Sequence, residues 1–199
     1  MQIDSNINEF QEKLKAEAKQ VLEELQVIET LLLYGRPNII GSLALGVMTR
    51  RDIDIEIIVN TLSKKVVTEA AQKFLSLSLP RLDITVIDNT KPYTQSFPLG
   101  IYLGITYVGK DEFVETLKSA KIRWDIDMWF LEKNQPRGTK MTEEFLALMT
   151  PEKRRIILDI KYALTQSTDY KGKYSGVDIY KAVLRNNIKT KEDFLKFIS

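Results

Sequence analysis

The 199 residues contain no cysteine and no histidine. Without cysteine there is no disulfide, no thiolate metal ligand and no cysteine nucleophile, a usage that suits a reducing compartment. Without histidine, Ser-His and Cys-His pairs and imidazole zinc sites are excluded, as is the usual general base near neutral pH. No apolar run approaches the roughly 20 residues a membrane helix needs, and the start "MQIDSNINEF" lacks a basic segment followed by an apolar one. We expect an unprocessed cytoplasmic protein with no membrane partner. An excess of one charge is also missing: 29 Lys and Arg against 27 Asp and Glu leave +2. Any polyanion site is therefore local, and a nucleic-acid partner is not expected.

What is present suffices for a real core, with 44% apolar and 28% charged residues. Ile3, Ile7, Phe10, Leu14, Ala18, Val21, Leu25, Ile28 and Leu32 recur at steps of three and four, which predicts one long N-terminal helix ended by Gly35 and Pro37. Its stripe suits the domain core or, as an alternative, a homodimer interface. "NII" and "DIDIEIIV" read as strands, the second with Ile53, Ile55, Ile57 and Val59 on one face and Asp52, Asp54 and Glu56 on the other. A helix is expected over 62–78. "RLDITVID" follows as a strand with Leu82, Ile84 and Val86 on one side, then "GIYLGITYVG" and "KIRWDIDMWFL" around a short helix "DEFVETLKS". From Thr142 the pattern is helical again. The fold class is α/β (α+β): a mixed β-sheet flanked by helices, with a helical C-terminal part, divided at 1–140 and 141–199.

Aspartates at i and i+2 of a strand project from one face, roughly 6.5 to 7 Å apart along the backbone. Two such carboxylates suit hard cations such as Mg²⁺. A half-solvated strand shows the same alternation, so Asp52 and Asp54 alone decide nothing. Ten residues upstream, Gly41-Ser42 marks a strand-to-helix junction where backbone N–H groups and a hydroxyl suit a phosphate. The order strand, Gly-Ser, short turn with Gly46, then a strand with Asp-x-Asp is more specific than either part.

"GSLALGVMTRRDIDIEIIV" resembles the signature of the DNA polymerase beta-like nucleotidyltransferase superfamily, and "YSGVDIYKAVLRNNIKTKEDFLKFI" is similar to helical segments of its small bacterial members. The resemblance implies a nucleotidyltransferase-type sheet and a Mg²⁺- or Mn²⁺-dependent transfer of a nucleoside monophosphate, from an NTP such as ATP to a hydroxyl of a small-molecule or protein acceptor. Asp52 and Asp54 would be catalytic metal ligands, and Gly41 and Ser42 would hold nucleotide phosphates, with Arg50 and Arg51 near enough in sequence to add charge-assisted contacts. The third carboxylate maps onto Asp83 in "RLDITVID". A second Asp-x-Asp in "RWDIDMWF" offers Asp127 as the alternative third ligand or as an acceptor-side contact, with Trp129 as a stacking surface. Arg51 stands where many members have serine. That departure motivates a second reading, a catalytically weak or inactive member of the fold that binds nucleotide or a partner protein. A dimerising structural protein built on the N-terminal helix is a third.

Overall fold

A computed structural model of the chain describes residues 3–77, 82–91, 97–108, 123–135, 137–165 and 174–199, with backbone alone for residues 3–6. The single N-terminal helix expected from the periodicity is two, α1 (Ile3–Glu24) and α2 (Val27–Leu32). Leu25 and Val27 are both fully buried, and residues two apart lie about 200° apart around a helix. One continuous helix would point them in opposite directions. The chain breaks instead at Gln26, which is left-handed at φ 48°. Leu14, Ala18, Val21, Leu22 and Leu25 then pack on the sheet, while Leu32, at the end of the expected stripe, is 59% exposed.

The elements that follow are β1 (Arg36–Ile40), α3 (Gly41–Leu45), β2 (Asp52–Val59), α4 (Lys64–Leu75), β3 (Leu82–Asp88), β4 (Ile101–Val108) and β5 (Arg123–Glu132). Then come helices that we number α5 (Arg137–Leu148), α6 (Pro151–Thr165), α7 (Gly176–Asn186) and α8 (Lys191–Ile198). The helix expected over "DEFVETLKS" lies outside the described residues. The described strands form one five-stranded sheet in the order β1-β2-β5-β4-β3. β2 and β5 run parallel and the other neighbours antiparallel. Pro37 is tolerated in β1 because that strand is an edge.

Period-two alternation builds the main core. Ile53, Ile55, Ile57 and Val59 of β2, and Trp124, Ile126, Met128 and Phe130 of β5, turn toward α1, α2 and α4. Val86, on the edge strand β3, is exposed, whereas Leu82 and Ile84 are half-buried against the core. A second core gathers Leu45 and Val47 with Phe145, Ile157, Leu164, Ile179, Val183 and Phe194 of the C-terminal helices. The polar face of the sheet therefore has α3 and the C-terminal helices over its β1–β2 half. Among the described residues no helix is long and apolar enough to cross a membrane.

Glu56, the third acid of "DIDIE", is 1% exposed and joins the two cores. Its carboxylate accepts from the Gly138 and Thr139 N–H groups at 2.6 and 2.7 Å and from the Thr139 hydroxyl at 2.7 Å. These are the unpaired donors of the first turn of α5, where a negative charge also suits the helix dipole. The pattern alone starts this helix at Thr142. The carboxylate from β2 lets it begin at Arg137.

Candidate active site

The parallel register of β2 and β5 sets Asp52 beside Asp125 and Asp54 beside Asp127. Adjacent strands are about 4.8 Å apart, so the two Asp-x-Asp motifs lie alongside one another on one face. Asp52, Asp54 and Asp127 each bring one carboxylate oxygen to within 4.8 Å of the other two. Asp125 is held aside, accepting from the Thr106 hydroxyl at 2.9 Å and paired with Arg123 at 3.2 Å. Asp83 is not in the cluster. It pairs with Thr106 on β4 and stands on the far edge strand, three strand spacings or about 14 Å from β2. The resemblance mapped the third carboxylate onto Asp83 because β3 is the strand that follows β2 and α4 in the chain; the sheet instead sets β5 next to β2 and β3 at the edge.

The Gly41-Ser42 turn stands against this cluster. Gly41 is left-handed at φ 64°, and a Cβ there would run into Asp54 Oδ2 and lie 3.2 Å from its Cγ. Glycine is required for the backbone conformation and for the space. The Gly41 N–H donates to Thr142 Oγ1 at 3.3 Å. The turn is thus fixed by the same α5 that Glu56 caps.

Electrostatics follow from this crowding. Burial, then the neighbouring Asp52 and Asp127, push the Asp54 carboxyl up to about 7, against the pull of Lys161 and Arg50. Asp52 is also raised, by burial first, then Asp127 and Asp125, with Arg50 and Lys161 opposing. Arg50 contacts Asp52 at 3.0 Å. Lys161, 5% exposed, comes from α6 and donates to the Val47 carbonyl at 2.7 Å and to the Tyr180 hydroxyl at 3.2 Å. Burial and then Arg50 push its ammonium down to about 8, with Asp52 and Asp54 holding it up.

Two clefts meet at Asp52 and Arg50. The smaller, about 200 Å³, has Gly41, Ser42, Asp54 and Lys161 in its wall, together with Gly176 and Tyr180 of α7. The larger, about 440 Å³, opens over β5, β4 and β3 and is lined by Asp125, Asp127, Tyr102, Thr106 and Arg123 among others. Asp54 faces only the first, Asp127 only the second, and Asp52 both. Arg51 lines the larger cleft, with its guanidinium on Glu17 of α1 at 2.8 Å, rather than joining Gly41 and Ser42.

No family model and no curated protein matches the chain. Solved structures do. The Cid1 poly(U) polymerase with MgGTP bound superposes with a TM-score of 0.63 at 13% identity, over 92% of this chain and 55% of that one. A mutant of the same polymerase bound to MgATP gives 0.63 at 13%, over 94% and 56%. A cytoplasmic RNA terminal U-transferase gives 0.56 at 14%, over 92% and 55%. The chain has the nucleotidyltransferase fold. It spans just over half the length of these nucleotidyltransferases.

Three contributors to this site were missed in the sequence. Lys161 reads as part of a charged helix, yet it falls on the apolar stripe of α6 between Ile157 and Leu164, at i+4 and i−3, and a lysine there is a signal in itself. Thr142 and Tyr102 carry no such mark, because each acts across the fold on Gly41 and on Asp127 respectively.

Proposed function

We propose that this chain is a Mg²⁺-dependent nucleotidyltransferase of the DNA polymerase beta-like superfamily, moving a nucleoside monophosphate from an NTP to an acceptor hydroxyl with release of pyrophosphate. The observation that carries the reading is the convergence of Asp52, Asp54 and Asp127 within 4.8 Å beside the Gly41-Ser42 turn. The donor set fits the ion: all ligands are hard oxygens, and a carboxyl raised to about 7 by burial and two like charges is relieved by a divalent cation. Bound there, divalent ions offset the negative charge that develops on the attacking and leaving oxygens.

The chain's own residues supply positioning. The triphosphate lies in the smaller cleft, against the Ser42 hydroxyl and the Gly41 backbone, with Lys161 and Arg50 as the cations nearest its charge. Of the adjacent pair Arg50 and Arg51, Arg50 lines this cleft and takes the phosphate role. The acceptor occupies the larger cleft, its hydroxyl beside Asp127, which receives the hydroxyl proton as the oxygen bonds to the α-phosphorus. The bond from that phosphorus to the β-phosphate oxygen breaks, and pyrophosphate leaves through the smaller cleft. Placing Asp52 between the two clefts sets donor and acceptor on opposite sides of the reacting phosphorus, as in-line transfer requires.

The solved neighbours carry the names poly(U) polymerase and RNA terminal U-transferase. An RNA 3′ end therefore joins small-molecule and protein hydroxyls as an acceptor class, despite the near-neutral charge. The test is pyrophosphate release from each of the four NTPs with Mg²⁺, across single-stranded RNA, polyol and protein acceptors. Release that disappears in Asp54→Asn supports the proposal. NTP-dependent thermal stabilisation with no release from any acceptor points to the nucleotide-binding, inactive form instead.

A further inference from the structure

The residue opposite Asp127 on β4 is Gly104, and Tyr102 is one row away, opposite Trp129. Tyr102 nevertheless reaches Asp127, its hydroxyl donating to Oδ1 at 2.6 Å. It does so by lying along its own strand over Gly104. A Cβ at position 104 would stand 2.7 Å from Tyr102 Cζ and 2.8 Å from Cε1, so the ring occupies the place of the missing side chain. Gly104 is not in the left-handed region, which leaves room for the ring as the reason for glycine here. On its flank the ring packs on Trp129 at 5.3 Å and 53°, and Phe97 stacks on Trp129 at 5.9 Å and 22°. A vacated side-chain position, an aromatic wall and a short charge-assisted hydrogen bond all act on one carboxylate.

We infer that Tyr102 is the positioning residue for Asp127, with Gly104 as the position that admits it. The inference rests on the nucleotidyl-transfer reading and adds to it a named control on the third carboxylate. An aspartate on a strand is free to turn about its terminal torsion, which is broad and roughly two-fold. Engaging Oδ1 fixes the carboxylate plane and keeps the group directed at Asp52, Asp54 and the larger cleft. Hydrogen-bond partners of metal-binding side chains act in this way, and their loss typically costs 10- to 100-fold in metal affinity or activity.

The test is titration of the full chain with Mn²⁺, with free ion followed by electron paramagnetic resonance, for wild type, Tyr102→Phe, Gly104→Ala and the double variant. Tyr102→Phe should raise the Mn²⁺ Kd about 10- to 100-fold while its melting temperature and circular dichroism stay near wild type. Gly104→Ala should raise it by a similar factor. The double variant should be no weaker than the worse single one, because both remove the same bond. Tight binding by wild type, matched within about twofold by Tyr102→Phe, overturns the tyrosine's role and leaves the nucleotidyl-transfer reading standing. Effects of the two substitutions that multiply in the double variant overturn the link through Gly104. No Mn²⁺ binding by wild type overturns the parent reading and this inference together.

Discussion

The backbone of Gly41 lies directly against the carboxylate of Asp54, with no space between them for a side chain. In the proposed site a phosphate-side turn and a metal-side carboxylate are thereby built as one unit. Gly41→Ala must accept a left-handed φ, at about 1 to 2 kcal/mol, and displace Asp54 as well. We predict a loss of about 1 to 3 kcal/mol in urea unfolding together with loss of the thermal shift by Mg·NTP. A variant that keeps the nucleotide response would separate the turn from the site.

Asp54 predicts a pH dependence. Its folded-state value near 7 lies above the unfolded value of about 3.9, so the folded chain binds this proton more tightly. The associated stability is fully present below the unfolded value and is lost as pH rises through the folded one. The metal-free protein should therefore weaken between about pH 4 and 7, by at most a few kcal/mol. Asp54→Asn should flatten that slope and be neutral or stabilising at pH 8 without metal. It should also forfeit the gain that ligand gives wild type, about 2.7 kcal/mol at one hundred times Kd. Melting curves at pH 5 and 8, with and without Mg·NTP, decide this. Strong destabilisation of the metal-free variant would make Asp54 structural.

Lys161 runs in the other sense. Its folded-state value near 8 lies below the ordinary 10.5, so stability is present above the unfolded value and lost as pH falls through the folded one. Lys161→Met removes a buried ammonium but leaves the Val47 carbonyl without this donor. We expect opposing effects within about 2 kcal/mol at pH 7 and nucleotide affinity weakened about tenfold or more, read by calorimetry. Unchanged NTP affinity would confine Lys161 to joining α6 to the Val47 backbone.

Glu56 is expected to matter for folding. Glu56→Ala strands the Gly138 and Thr139 donors and should cost about 3 kcal/mol or more, whereas Glu56→Gln keeps an acceptor and should cost less. Chemical denaturation of the two variants gives the comparison. Equal, small losses would show that α5 begins at Arg137 without help from β2.

The divide between what was legible and what was not follows sequence distance. The faces of β2, the Gly41-Ser42 junction and the inward face of β5 are set by alternation and turn chemistry within a few residues, and they were read correctly. The choice between Asp83 and Asp127 depended on which strand lies beside β2, and strand order is fixed by long-range packing that local periodicity does not encode. Glu56 shared the polar face with Asp52 and Asp54 as expected. Its burial came from α5, more than 80 residues later. The break at Gln26 was legible in principle, since Leu25 and Val27 are both large and apolar at a spacing one helix face cannot serve.

The central claim is that Asp52, Asp54 and Asp127 form one metal site with the triphosphate at Gly41-Ser42. Anomalous diffraction from crystals grown with Mn²⁺ and a non-hydrolysable NTP analogue tests it most directly. The account predicts manganese peaks among these three carboxylates, about 3.5 to 4 Å apart where two ions bind, with the terminal phosphates against Gly41 and Ser42. Nucleotide bound away from that turn, or manganese on Asp83 with none at Asp127, would contradict it.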